Sequence, residues 1–337
     1  MKSVVLIIPY FGKLPDYYKI WEMTALKNNT IDFLFFTDID AITPKANIKV
    51  VKTSFQDFTK LFKDKFDFTI SLESPYKLCD FKPTYGYVLY EYIKEYEFWG
   101  HCDIDLLFGD IRAFITDDIL NHYDKILELG HFTLYRNNLD NNSAFMNGVG
   151  FADIDYKKAL SSKESMYFDE ILGTMWIARK NKIKTFYSEN AFFDVCVKEK
   201  KFFHITDFYN ESIFYYDGNK LFAIDKVNND IRKTEIMYAH FQKRAIDYSQ
   251  YNDELAAFYI VPNKLIPAND GIDVNRLFIV KGQKRYSFLK KLEHVKRYLK
   301  KYNRKEYGSF LNYKRERTRF HNIMKNARDG LKDYKET

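Results

Sequence analysis

Apolar runs and helix-spaced apolar positions take turns along the first hundred residues. In SVVLIIP (3–9) the apolar residues are unbroken up to Pro9, which predicts a buried strand followed by a loop. A helix is expected near 15–28. IDFLFFTD (31–38) predicts a second strand with a polar end, and IKVV (48–51) a third. In SFQDFTKLFKDKF (54–66), Phe55, Phe58, Leu61 and Phe62 fall on one helical face behind Ser54, a good N-cap. KPTYGYVLYEYIKEY (82–96) predicts a helix with Pro83 in its first turn, and the strand FWGHCDIDLLF follows it. Strands separated by helices predict an α/β fold with a mostly parallel central sheet flanked by helices.

The middle of the chain is more mixed. HFTLYRN (131–137) predicts a strand, and FMNGVGFADI (145–154) another, with Gly148 and Gly150 permitting close approach. MYFDEILGTMWIARKNK (166–182) predicts a helix. FYNESIFYYDGNKLFAID (208–225) predicts a hairpin turning at Asp217-Gly218, and EIMYAHFQKR (235–244) is a short apolar approach to His240 and two cations. A boundary is expected near 270–283, where Asn269-Asp270-Gly271 and Gly282 precede a basic segment. This divides the chain into a body at 1–270, with halves of about 1–110 and 111–270, and a tail at 281–337.

Charge changes the picture at that boundary. The net charge is +7, but residues 281–337 hold 19 Lys and Arg against 6 Asp and Glu, leaving the rest of the chain at 34 against 40. Phe288, Leu292, Val295, Leu299 and Tyr302 form one apolar helical stripe in this tail, with lysines and arginines mostly off it. A basic amphipathic helix of this kind lies on an anionic membrane surface, packs on its own body, or binds nucleic acid. No recognised nucleic-acid-binding fold accompanies it, so nucleic acid ranks last. No stretch approaches 18 apolar residues, and the apolar N-terminal run is too short for a signal segment. Three cysteines without a C-x-x-C pair predict reduced thiols and a cytoplasmic protein rather than a disulfide framework. The aromatic share of 18% matches the abundance of Lys, Asn and Ile that an AT-rich genome produces, so no single aromatic is singled out on that ground.

The chemistry concentrates in FWGHCDIDLLFGD (98–110). Asp103 and Asp105 are two apart at the end of an apolar run, so on a regular strand they share a face and repel each other. A divalent cation relieves that repulsion: carboxylate oxygens suit Mg²⁺ or Mn²⁺, which accept phosphate oxygens as further ligands. The alternative is a solvated loop at a strand end. In parallel sheets ligands bind beyond the carboxyl ends of the strands, where Pro9-Tyr10, Thr37-Asp38 and Asp103-Ile104-Asp105 all lie.

The strand followed by D-x-D, with IIPYFG opening the chain, resembles nucleotide-sugar-dependent glycosyltransferases of the GT-A (Rossmann-like) fold. More narrowly, IPYFGKLPDYY, SPYKLCDFKPTYGYVL, WGHCDIDLLFGDIR and GHFTLYRN resemble a family of bacterial glycosyltransferases found with capsular and other surface-polysaccharide genes. The resemblance spans roughly residues 3–245 and excludes the tail. It implies a Mn²⁺ or Mg²⁺ ion held by Asp103 and Asp105, with Asp105 the stronger ligand and Asp103 also near the donor. It implies His240 as a further ligand and Lys243 beside the donor diphosphate. Pro9, Tyr10 and Phe11 would border the base, Thr37 and Asp38 the uracil or ribose of a UDP-sugar, and Asp80 and Lys82 the nucleotide or sugar. Asn147 and Gly148 would line the sugar pocket, and Asp169 or Glu170 would bind acceptor hydroxyls or serve as base. His101 would orient a D-x-D carboxylate or be a core histidine.

These roles imply transfer of a hexose to a glycan, expected to be a lipid-linked oligosaccharide, by a peripheral enzyme on the cytosolic face of the inner membrane. Two other readings remain open at this point. One is a metal hydrolase using His101, Asp103, Asp105 and His240. The other is a non-catalytic protein whose tail binds lipid or nucleic acid.

Overall fold

The computed structural model describes residues 1–196, 201–204, 207–227, 230–242, 244, 246–269, 271–280 and 310–333. Its largest sheet is built from β1 (Val4–Pro9), β2 (Ile31–Thr37), β3 (Ile48–Lys52) and β4 (Phe98–Cys102) in parallel. Further along the chain come β5 (Leu106–Phe108), β6 (Lys125–Leu129), β7 (Phe132–Arg136) and β8 (Thr185–Phe186). The sheet order is β3-β2-β1-β4-β7-β6-β8; β7 runs antiparallel to both its neighbours, and β6 is parallel to β8. The fold is thus mixed α/β, with a large parallel-rich sheet flanked by helices.

Both faces of this sheet are covered, which is why β1 has no polar alternation. Val4, Leu6 and Ile8 pack with Trp21, Phe33 and Phe35 on one side. Val5 and Ile7 pack with Leu34, Phe36, Phe58 and Phe62 on the other. Phe58 and Phe62 come from the helix Phe55–Lys63, where the Ser54 hydroxyl accepts from the Asp57 amide as the N-cap.

The second half adds β9 (Phe192–Asp194), β10 (Phe202–His204), β11 (Asp207–Tyr216), β12 (Leu221–Val227), β13 (Asp230–Ile236), β14 (Tyr238–His240), β15 (Phe258–Val261) and β16 (Lys264–Pro267). An antiparallel sheet in the order β13-β12-β11-β15-β16, with β10 beside β11, packs on a core that it shares with Ile20, Leu107, Phe193 and Ala239. The β11–β12 hairpin turns at Asp217-Gly218 as the sequence predicts, with Asp217 accepting from the Asn219 and Lys220 amides. A three-stranded sheet, β5-β14-β9, takes one strand from within the span of the first sheet, one from the span of the second and one from the segment joining them.

Four sequence expectations differ. Asp103-Ile104-Asp105 is a turn between β4 and β5, so the two aspartates do not share a strand face. Residues 82–96 do not form one helix: a 3-10 stretch, Pro75–Thr84, leads into single turns at Tyr85–Val88 and Tyr90–Ile93. Pro83 lies inside this 3-10 stretch, which begins at Pro75, and not in the first turn of a helix. Residues 145–154 form 3-10 turns at Ala144–Met146 and Phe151–Asp153 instead of a strand. The helix expected at 166–182 is confined to Thr174–Lys180; before it, Tyr167 holds a left-handed φ of 52° that no α-helix accommodates, in a turn whose Met166 and Phe168 amides donate to Asp80.

The stripe from Phe288 to Tyr302 lies outside the described residues. The helix Phe310–Asp333 packs through Phe320, Ile323, Met324, Ala327 and Leu331 onto Phe168, Ile171 and Trp176 of the body. Among the described residues, no helix is long and apolar enough to cross a membrane.

Candidate functional site

β1 runs parallel to β4, with Ile7 beside His101, so Pro9-Tyr10 and Cys102-Asp103 leave the sheet at one edge. A cleft of about 640 Å³ opens there. The three-stranded sheet then fixes its polar wall. β14 pairs antiparallel with β5, placing His240 opposite Leu106 and next to Asp105. It also pairs parallel with β9, with His240 directly beside Asp194.

This register produces a chain of contacts. His240 Nε2 lies 3.5 Å from Asp105 Oδ1, and His240 Nδ1 lies 2.9 Å from Asp194 Oδ1. The Gln242 side-chain amide donates to the same Asp194 oxygen at 2.8 Å. Gln242 holds a left-handed φ of 49°, a strained conformation for a residue with a Cβ. Burial opposes charge on His240, but Asp105 and Asp194 outweigh it and raise the pKa to about 10. His131 stacks on His240 with ring centroids 4.1 Å apart, and its carbonyl accepts from the Asp103 amide at 3.0 Å. Burial, reinforced by the neighbouring His240 charge, lowers the His131 pKa to about 3.

The opposite wall is held by Lys82. Its ammonium donates to Asp103 Oδ1 at 2.7 Å and to the Gly130 carbonyl at 2.6 Å, and stands 3.9 Å from Asp169 Oδ2. Burial works against the Lys82 charge, yet Asp103 and Asp169 overcome it and hold the pKa above the ordinary lysine value. Burial likewise opposes ionisation of Asp103, but Lys82 and His240 keep its pKa below the usual carboxylate range. Asp169 is pushed well above that range by burial and by Glu170, Asp80 and Asp103, against the pull of Lys82. Burial also raises Glu170.

The donor set suits a divalent cation. Ligand atoms of Asp103, Asp105 and His240 lie within 4.8 Å of one another, so small side-chain rotations would bring them onto one ion with bonds of about 2.1 Å. Two carboxylates and an imidazole fit Mn²⁺ or Mg²⁺. Both ring nitrogens of His131, which faces this cleft, are buried without a hydrogen-bond partner. His131, Asp194 and His240 form a second group of the same compactness. Asp194 holds Nδ1–H of His240, so that once the ring loses its other proton the Nε2 lone pair is the one presented to an ion.

Of the residues expected from sequence, Pro9, Tyr10, Phe11, Lys82, Asp103, Asp105, Asp169, Glu170 and His240 line this one cleft. Thr37, Asp38, Asn147 and Gly148 do not. Thr37 is buried and accepts from the Ile39 amide, Asp38 points to solvent, and the Asn147 carbonyl accepts from Asn181.

Asp80 is fully buried and does not face the cleft. It pairs with Lys77 at 2.6 Å and accepts the Met166 and Phe168 amides, clamping the turn that presents Asp169. His101 is buried in β4 and does not line the cleft, so the four-residue hydrolase cluster is not brought together. Lys243 lies outside the described residues.

Sequence reasoning missed Asp194, His131, Gln242 and Arg328, all of which line the cleft. The run FFD at the end of β9 carries the same signal as the D-x-D, an apolar strand closing on an aspartate, in weaker form.

Residues 6–269 match a family of unknown function, DUF6625. No curated protein matches the chain.

Proposed function

Starting from a chain that belongs to the DUF6625 family, we propose that it is a metal-dependent glycosyltransferase of GT-A type. It moves a sugar from a nucleotide-diphosphate sugar, most simply a UDP-sugar, to a glycan. The observation that carries this reading is the convergence of Asp103, Asp105 and His240 on one point of a cleft at the carboxyl ends of β1 and β4. A cleft with this donor set and about 640 Å³ of volume suits a diphosphate and a sugar ring.

A divalent ion, Mn²⁺ or Mg²⁺, would supply Lewis-acid stabilisation of the departing diphosphate. Asp103, Asp105 and His240 would hold it; Lys82 fixes the Asp103 carboxylate, and Asp194 fixes the His240 ring. Pro9, Tyr10 and Phe11 border the nucleotide. The bond from the sugar's anomeric carbon to the phosphate oxygen breaks, and its electron pair leaves with the nucleoside diphosphate. The acceptor oxygen bonds to that carbon, and its proton goes to the carboxylate form of Asp169 or Glu170, both of which line the cleft beside Lys82 and Asp103. Residues 281–337 bring the body to an anionic membrane surface on the cytosolic side, where a lipid-linked oligosaccharide of a surface polysaccharide is the acceptor.

The test is calorimetric titration of UDP and common UDP-sugars with and without Mn²⁺. Binding or slow hydrolysis that needs both Mn²⁺ and Asp105 is expected. If no nucleotide sugar binds or is hydrolysed in Mn²⁺, the reading is wrong.

A further inference from the structure

The cleft wall formed by the C-terminal helix lies outside the matched family region, and it carries a cation. Arg328 lines the cleft together with Tyr76, Tyr167 and Glu170. Five carboxylates face this space (Asp103, Asp105, Asp169, Glu170 and Asp194), and Lys82 and His240 are each held by two of them. Arg328 makes no hydrogen bond or ion pair among the described residues, although its charge is felt at Glu170.

The packing of the helix fixes where Arg328 leaves the backbone. Ala327, immediately before it, is fully buried, and Leu331 is buried one turn on. Gly330 lies flat against Trp176, where an added Cβ would stand 3.0 Å from the ring. Phe320 meets Tyr167 at a centroid distance of 6.1 Å. The backbone at Arg328 is thus held in place by its neighbours, and the exposed arginine borders the cleft.

We propose that Arg328 and the exposed rings of Tyr76 and Tyr167 form a subsite for a phosphate-bearing sugar, the acceptor in the reading above, on which this assignment rests. A guanidinium fork matches phosphate oxygens in two parallel hydrogen bonds, and tyrosine faces offer apolar surface to a sugar ring. Lys82 and His240 are each already engaged by two carboxylates, so Arg328 is the cation placed to meet a second anion once the donor diphosphate is in place, and it fixes which end of the acceptor enters. The C-terminal helix is in this view part of the substrate site as well as a basic attachment.

The experiment titrates the full chain, metal-free in EDTA, with glucose 1-phosphate, glucuronate and methyl glucoside by ligand-observed NMR. Glucose 1-phosphate should bind more tightly than methyl glucoside by about tenfold or more, the worth of a charge-assisted pair. R328Q should erase that preference and R328K retain part of it, with unchanged thermal midpoints. L331D, which unseats the helix from Trp176, should erase it as well. Equal binding of the two sugars by the natural chain, an unchanged preference in R328Q, or no binding of any probe overturns the proposal. Glucuronate matching glucose 1-phosphate overturns the phosphate assignment. A separate titration with UDP and Mn²⁺ should be the same in R328Q as in the natural chain. Failure there in both proteins counts against the transferase reading and leaves the sugar-phosphate result standing on its own.

Discussion

Binding of Mn²⁺ to the metal-free protein should release a proton from His240. The ring lies between Asp105 and Asp194, at 3.5 and 2.9 Å, and these carboxylates outweigh burial to raise its pKa to about 10. At pH 7 the imidazole is therefore cationic, and an ion that needs the Nε2 lone pair must displace a proton. The gap of about three pH units costs about 4 kcal/mol, which lowers affinity at pH 7 roughly a thousandfold below its plateau. Between pH 7 and 9 the apparent Mn²⁺ affinity should therefore climb about tenfold per pH unit and level off as pH passes about 10. Calorimetry in buffers of different ionisation enthalpy counts the protons directly, and a value near one is expected. In H240Q the affinity is lower at high pH and no proton is released. The sign for folding is consistent: the folded pKa is raised above the unfolded value of about 6.5. His240 thus stabilises the metal-free protein fully below about pH 6.5, and that stability is lost as pH rises through about 10. A flat Mn²⁺ affinity between pH 7 and 9, with buffer-independent enthalpy, would refute the reasoning.

Two further expectations separate structural from functional carboxylates. D80A should destabilise the protein by about 3–5 kcal/mol, since it strands the buried Lys77 charge and frees two amides. Denaturant unfolding measures this, and a loss below about 1 kcal/mol would mean that Asp80 is no clamp. Asp169 has a raised folded pKa, so its share of stability is present below about pH 4 and is lost as pH rises through the raised value. D169N should therefore show a smaller fall in unfolding free energy between pH 5 and pH 8 than the natural chain. An identical fall in both proteins would show that Asp169 ionises normally.

Local physics was enough for the elements that need only their own residues. The unbroken apolar run of β1 demands burial on both faces, Ser54 caps the helix behind it, and Asp217-Gly218 turns the β11–β12 hairpin. The apolar strand closing on Asp103 and Asp105 leaves the sheet at the same edge as Pro9-Tyr10, because strand ends in a parallel sheet share a side.

Tertiary contact decided the rest. Asp194 and His240 are 46 residues apart and become neighbours only through the β9–β14 register. Asp80 carries the residue type of a ligand contact, but its two accepted amides make it a clamp instead, and only packing brings those amides to it. Arg328 was one cation among 19 Lys and Arg in a basic segment, until the apolar face of its helix met Trp176 and turned it toward the cleft. Periodicity along a chain specifies which face of an element is apolar; which other element covers that face is a non-local contact that no single segment contains.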